Sequence, residues 1–137
     1  MAQIMDGFLI SHDKNLLQID TVQQMLHTTY WAKDRTLDVI QRSIDHSSMV
    51  FGVYHRNTQV GFARCVTDYT TIYYLCDIVI DKAYRGKGLG KSLIRFIVAQ
   101  ENVKNLRGLL LTSDAHGLYE QYGFAKVLDK AMMKAPV

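Results

Sequence analysis

Apolar positions along the 137-residue chain follow two spacings, and each spacing predicts a different kind of element. Intervals of three and four residues predict amphipathic helices, whereas alternating or continuous apolar runs predict strands. Residues 75–80 are apolar at nearly every position, which is typical of a central strand buried on both faces. The predicted strands cover residues 8–12, 49–54, 59–66, 71–80, 109–112 and 124–128, with residues 131–134 as an optional partner of the last.

The predicted helices complete the pattern. They cover residues 21–30, a segment that begins after Thr36, residues 89–100 and residues 114–122. Thr36 is a suitable side-chain N-cap, and Gly123 stands where a left-handed cap would end the last helix. The order β-α-α-β-β-β-α-β-α-β, with an optional further strand, predicts an α/β (α+β) fold, a mixed sheet with helices on its faces. No linker or repeat divides residues 1–137, so one domain is expected.

Composition and charge narrow the class of protein. Hydrophobic residues make up 48% of the chain and charged residues 21%, as in ordinary globular proteins. A net charge of +3 suits a small anionic ligand and is too weak to favour nucleic acid. Without a leader-like start or a membrane-length apolar run, we expect a cytoplasmic protein that contacts no membrane. The histidines lack metal-ligand spacing, so no metal is expected.

A glycine-rich loop with basic residues follows the buried strand. Gly86, Gly88 and Gly90 alternate with other residues just before a predicted helix, and basic side chains stand at Arg85, Lys87 and Lys91. The first turn of a helix has N–H groups without internal partners and a partial positive charge. Anions therefore bind there. A helix start with a solvated basic face is the alternative, but the combination of glycines, basic residues and buried strand favours an anion site.

Two familiar phosphate-binding motifs do not fit this loop. A dinucleotide fingerprint needs its third glycine one position later, an earlier strand in a βαβ unit, and an acidic residue about twenty positions on. Residues 104–107 hold Lys-Asn-Leu-Arg in that region. A Walker loop requires a different spacing of its glycines and lysine.

The loop resembles the signature of the GNAT superfamily, the Gcn5-related N-acetyltransferases. That signature, Arg/Gln-x-x-Gly-x-Gly/Ala after an apolar strand, is matched by residues 85–90, which read Arg-Gly-Lys-Gly-Leu-Gly. The family often has a tyrosine in a short helix followed by Gly-Phe, and residues 118–124 read Leu-Tyr-Glu-Gln-Tyr-Gly-Phe. The element order is similar along nearly the whole chain, although the first third matches only in its two helices. The resemblance implies a mostly antiparallel central sheet.

The resemblance also implies acetyl-CoA (coenzyme A) as the acetyl donor. In the family the pyrophosphate lies on the loop and the pantetheine arm lies along the end of the preceding strand. By position, the implied cofactor-binding residues are Ile78, Val79, Ile80, Arg85, Gly86, Lys87, Gly88, Leu89, Gly90 and Lys91. A homodimer is common in the family.

The implied reaction is direct acetyl transfer to a neutral primary amine. Tyr119 matches the family tyrosine that protonates the departing thiolate; without the resemblance it would be a core aromatic residue. Asp77, in an apolar strand, is either a base or substrate anchor or a structural carboxylate bound to a basic side chain. Tyr30, Trp31 and Tyr74 are candidates to line the acceptor pocket.

The sequence therefore predicts an acyltransferase, an acetyl-CoA-dependent N-acetyltransferase whose acceptor is a small-molecule or protein amine. The alternative is a catalytically silent module that binds acyl-CoA. Tyr119 and Asp77 distinguish the two, because a silent module needs neither.

Overall fold

A six-stranded sheet with its strands in sequence order organises residues 2–136, the part of the chain that the computed structural model describes. Strands β1 to β5 are antiparallel neighbours, and β5 and β6 are parallel. The predicted mixed, mostly antiparallel sheet is confirmed. The strands are β1 (Ala2–Met5), β2 (Phe8–Ser11), β3 (Met49–His55), β4 (Thr58–Thr67), β5 (Ile72–Ile80) and β6 (Arg107–Leu110).

Helices cover both faces of this sheet. They are α1 (Ile19–Leu26), α2 (Leu37–Asp45), α3 (Leu89–Val98) and α4 (His116–Glu120). One face packs against α3 through a core that includes Phe51 and Leu93. The other face packs against α1 and α2 through Phe62 and Val79. None of the helices within residues 2–136 has the length and apolar character needed to cross a membrane.

Alternation along β5 is interrupted at Asp77, which has a φ of 57°. Between Phe62 and Arg64 of β4 the register shifts, so that β5 carries an extra residue opposite its partner strand. Leu75 and Ile78 pack in the core beneath α3. The two residues between them therefore both face the side of the sheet that carries α1 and α2.

Strands β5 and β6 diverge halfway along β5. Their pairing ends at Leu75 and Leu110, where β6 itself ends, while β5 continues to Ile80. The second half of β5 therefore has a strand partner on one edge only, among residues 2–136. Its other edge opens into the space between the two strands.

Two predicted strands at the C-terminal end are wrong. Residues 124–128 and 131–134 contain no strand. Gly123, with a φ of 92°, turns the chain back, and the N–H of Phe124 donates to the Tyr119 carbonyl at 3.3 Å. Beyond this turn Phe124 packs against the core under α3, but the apolar side chains that follow are exposed, Leu128 by 85%. The turn itself confirms the predicted left-handed conformation of Gly123.

The strand that the sequence interpretation missed is β1. It pairs with β2 across a two-residue turn, Asp6 and Gly7, whose φ values are 50° and 82°. Both angles are positive, as in the hairpin turns that Asp-Gly favours. The Asp-Gly pair between apolar residues was the available signal.

Candidate functional site

A cleft of about 1010 Å³ opens where β5 and β6 diverge. Its walls come from the second half of β5, the glycine loop, the segment between α1 and α2, and residues 110–119. Residues far apart in the chain thus face one space. Of the site residues predicted from the sequence, the cleft is lined by Tyr30, Trp31, Tyr74, Asp77, Ile78, Val79, Ile80, Arg85, Gly86, Gly88, Leu89, Gly90, Lys91 and Tyr119, and Lys87 is outside it.

The glycine loop presents backbone N–H groups to the cleft. Gly86 and Gly88 have φ values of 81° and 79°, a left-handed conformation that glycine adopts without strain. Gly88 is the N-cap of α3 and offers no side chain to its first turn. Within the described part of the chain, the N–H groups of residues 86–91 have no backbone partner. The loop can therefore hold an anion such as a pyrophosphate.

Gly90 is a glycine that the fold itself does not require. A Cβ there would lie 3.9 Å from the nearest side-chain atom, on Ile80, which is an ordinary contact, and its φ is not in the left-handed region. Apart from its chain neighbours and the backbone of its own helix, no other atom of the described protein would lie within 4 Å of that Cβ. The free space beside Gly90 fits close approach by a ligand.

The open edge of β5 supplies further backbone groups. The N–H of Asp81 donates to the Val60 carbonyl of β4 at 2.8 Å. Alternate residues of a strand direct their N–H and C=O groups to opposite edges. Since Asp81 faces β4, the backbone N–H and C=O groups of Ile78 and Ile80 face the cleft. The Ile80 carbonyl accepts a hydrogen bond from Arg85 Nε at 3.0 Å. An extended ligand with amide groups could pair with the remainder.

Tyr119 lies in α4 on the opposite wall. Its ring contacts Phe124 edge-on at 6.0 Å between centroids. Burial, followed by the charge of Asp114 and the nearby Tyr30, raises the pKa of the Tyr119 hydroxyl to about 12. The phenol therefore stays protonated at neutral pH and can act as a hydrogen-bond donor.

Asp77 is enclosed by donors. Its Oδ2 accepts from Arg35 Nη1 at 2.6 Å and from Arg64 Nε at 2.7 Å. Its Oδ1 accepts from Trp31 Nε1 at 3.1 Å. Burial would raise the pKa of Asp77, but the charges and hydrogen bonds of Arg64 and Arg35 outweigh it and hold the pKa below its usual range. The carboxylate is only 2% exposed.

These contacts favour one of the two interpretations of Asp77. A carboxylate with a lowered pKa and both oxygens occupied is a poor proton acceptor. From β5, Asp77 instead binds Arg64 of β4 and both Arg35 and Trp31 of the α1–α2 segment, and so holds these three elements together. Asp77 is thus arranged as a structural and positioning residue rather than a base.

Arg35 and Arg64 are the two site residues that the sequence interpretation missed. Arg35 lies in the α1–α2 segment, and Arg64 lies on β4 with its side chain only 15% exposed. The signal for Arg64 was a charged residue inside the apolar run of residues 60–66. Nothing local indicated Arg35, whose partner is 42 positions away.

The predicted acceptor-side aromatics also lie on the cleft. Tyr30 and Trp31 contact each other edge-on at 5.0 Å and are 56% and 42% exposed. The Tyr30 hydroxyl accepts from the Ser113 N–H at 3.1 Å, which ties the α1–α2 segment to the opposite wall. Tyr74 is 37% exposed on the same face of β5 as Asp77.

Comparison with known proteins identifies relatives of this chain. Residues 46–126 match the profile of the family described as "Acetyltransferase (GNAT) domain". A crystal structure of a candidate acetyltransferase of the GNAT family from Xanthomonas campestris pv. campestris is 40% identical in sequence. The alignment covers 98% of this chain and 96% of that one, with a TM-score of 0.89.

Curated sequences agree with this assignment. A candidate acetyltransferase of Gibberella zeae is 28% identical, over 94% of this chain and 90% of its own length. A chloroplastic GCN5-related N-acetyltransferase of Arabidopsis thaliana is 25% identical, over 86% of this chain and 61% of its own length.

Replacing Asp77 with Asn should destabilise the fold at neutral pH. Asn tolerates the left-handed backbone, so the change keeps the backbone conformation and removes the charge together with one of the two acceptor oxygens. We expect the free energy of unfolding to fall by about 3 kcal/mol, near the lower limit for breaking a buried pair, because the arginines stay partly solvated. Denaturant titrations of both proteins at pH 7 measure the difference.

The pH dependence gives a second readout. Because the pKa of Asp77 is lower in the folded than in the unfolded protein, its ionised carboxylate stabilises the fold above about pH 4. This stabilisation is lost as the pH falls through the folded-state pKa. The difference between the two proteins should therefore shrink in acid. Asp38→Asn, which removes an exposed pair with Arg42, is the control and should change stability little. Equal stabilities of wild type and Asp77→Asn at pH 7 would contradict the assigned role.

Proposed function

Since the chain belongs to the GNAT acetyltransferase family, we propose that it transfers an acetyl group from acetyl-CoA directly to a primary amine. One observation carries the proposal. The loop with free N–H groups and the open edge of β5 face the same cleft. A ligand with a pyrophosphate at one end and amide groups along its length fits both.

The residues that would hold acetyl-CoA divide into two groups. The N–H groups of residues 86–91, with the charges of Arg85 and Lys91, would bind the pyrophosphate. The backbone of Ile78 and Ile80 would pair with the amides of the pantetheine arm, in the way that an added strand pairs with a sheet edge. The free space beside Gly90 is consistent with this placement.

Acetyl-CoA supplies a thioester whose carbonyl carbon accepts the amine and whose sulfur departs as a thiolate. The Tyr119 hydroxyl would donate a hydrogen bond and a proton to that sulfur, since its pKa of about 12 keeps it protonated. The proton lost by the amine restores the phenol, directly or through water. Asp77 would not take this proton, because its carboxylate is already bound by Arg35 and Arg64. A water molecule would accept the proton instead.

A thiol-release assay with a panel of primary amines tests the proposal. The assay should detect free CoA thiol only when acetyl-CoA and an amine are both present, together with the acetylated amine by mass spectrometry. Tight acetyl-CoA binding without turnover of any amine would favour the silent acyl-CoA-binding module.

Gly90→Ala should weaken acetyl-CoA binding while preserving the fold. The methyl group fits the protein but occupies the space assigned to the ligand, so we expect roughly a tenfold or greater loss of affinity. Ala also favours helix over Gly, so stability should stay equal or rise by up to about 1 kcal/mol. Calorimetric titration and thermal unfolding measure the two effects.

Gly117→Ala is the matched control. Gly117 lies in α4 and is not part of the cleft wall, and outside its chain neighbours and its own helix backbone no described atom would lie within 4 Å of an added Cβ. Its replacement should leave acetyl-CoA affinity unchanged. If Gly90→Ala bound acetyl-CoA as tightly as Gly117→Ala does, the loop assignment would be wrong.

Tyr119→Phe should lower kcat by about a hundredfold or more, the range for losing a general acid, with little change in acetyl-CoA affinity. The ring and its contact with Phe124 remain. Because the pKa of Tyr119 is about 12, wild-type kcat should show no decline between pH 7 and pH 10 from this group. Steady-state kinetics across that range measures both effects. Wild-type turnover in the variant would remove Tyr119 from the mechanism.

A further inference from the structure

The arginine pair beside Asp77 carries more positive charge than its carboxylate neutralises. Arg35 and Arg64 bind the same oxygen of Asp77, so two positive charges meet one negative charge, a net charge of +1. The side chains are 25% and 15% exposed, so water screens them only partly. This excess charge lies on the cleft wall.

No other carboxylate of the described residues compensates it. Asp114 also lines the cleft, but it forms no ion pair with either arginine, and its charge acts on Tyr119. Asp34 and Asp38 are close to Arg35 in sequence, but among the described residues neither forms an ion pair with it, and Asp38 pairs with Arg42 on the outer surface. Apart from Asp77, the two arginines therefore have no acidic partner among the described residues.

Both guanidinium groups keep unused donors. Arg35 makes one side-chain hydrogen bond, to Asp77, and Arg64 makes two, to Asp77 and to Ser47 Oγ at 3.1 Å. A guanidinium group has further N–H donors in a planar fork that matches a carboxylate or a phosphate. Asp77 fixes the orientation of both forks in advance, which lowers the entropy cost of binding.

The pair is separate from the glycine loop. Arg64 lies opposite Cys76, whereas the loop follows Ile80, four residues further along β5. At the rise of a strand, these two positions of β5 are roughly 13 Å apart. Arg35 and Arg64 also share their end of the cleft with Trp31 and Tyr74, on the side of α1 and α2. A pyrophosphate on the loop would thus leave this charge free.

We propose that the acetyl acceptor is a primary amine that also carries an anionic oxygen group, a carboxylate or a phosphate, which binds Arg35 and Arg64. This inference rests on the proposed acetyl transfer. The anion would anchor the acceptor on the α1–α2 side, with its amine directed towards the open edge of β5. Trp31 and Tyr74 would cover the apolar part of the acceptor.

Matched acceptor pairs test the inference. Each pair consists of an anionic amine and its neutral counterpart, such as amino acids and their amides, or O-phosphoethanolamine and ethanolamine. We expect kcat/KM to be about tenfold or more higher for the anionic member, as for a charged hydrogen bond. The carboxylate and phosphate pairs show which anion is preferred. Equal or better use of the neutral members would overturn the proposal.

Arg35→Gln should raise KM for the anionic acceptors much more than KM for neutral amines or for acetyl-CoA, so that the preference for the anionic member is lost. Arg35→Lys keeps a positive charge beside Asp77 but loses the planar fork of donors. Its preference for anionic acceptors should lie between those of the wild type and Arg35→Gln. Arg42→Gln removes an exposed arginine outside the cleft and is the control. A loss that is equal for anionic and neutral acceptors would assign Arg35 a structural role only.

A binding measurement keeps the inference testable if no amine is turned over. Trp31 is the only tryptophan, and its indole N–H is bound to Asp77. Titration with inorganic phosphate or acetate should give a saturable change in its fluorescence that Arg35→Gln removes and Arg42→Gln retains. No saturable change in the wild-type protein would overturn the anion site, whatever the outcome for acetyl transfer.

Discussion

Strand β5 has a β-bulge at Asp77, and the cleft depends on that bulge. The left-handed residue costs on the order of 1–3 kcal/mol, and the bonds from Arg35, Arg64 and Trp31 offset it. The bulge turns Cys76 and Asp77 to the same face, and pairing with β6 ends just before it. One buried carboxylate thereby joins two strands and the α1–α2 segment at the point where the sheet opens.

The open sheet gives the cleft two basic ends of different construction. At the glycine loop, binding capacity comes mainly from backbone N–H groups, which need glycine conformations at Gly86 and Gly88. At the other end it comes from side chains that a buried carboxylate orients. The net charge of the whole chain is only +3, and this value does not reveal that several of its basic side chains line the same cleft. An enzyme that binds an anionic donor and an anionic acceptor would need two such sites, set apart along one strand.

Features that depend on a few consecutive residues could be predicted from the sequence. Features that depend on how the strands pair could not. The loop of residues 85–91 and the turn at Gly123 follow from local sequence, and the structure contains both. The ion pair of Asp77 with Arg35 spans 42 positions, and its geometry depends on a bulge that the apolar run of residues 75–80 does not reveal. The strand expected at residues 124–128 is absent for a related reason: only Phe124 packs against the core, Val127 and Leu128 are exposed, and strand propensity depends on burial of one face.

Hydrogen–deuterium exchange of the protein with saturating acetyl-CoA tests directly whether the cofactor binds at the open edge of β5 and at the glycine loop, because it reports on the backbone N–H groups that are free there. We expect new protection at the amides of Ile78 and Ile80 and of residues 86–91, with exchange in β1 and β2 unchanged. Unchanged exchange at the open edge and the loop while acetyl-CoA is bound, or protection confined to other parts of the sheet, would contradict it.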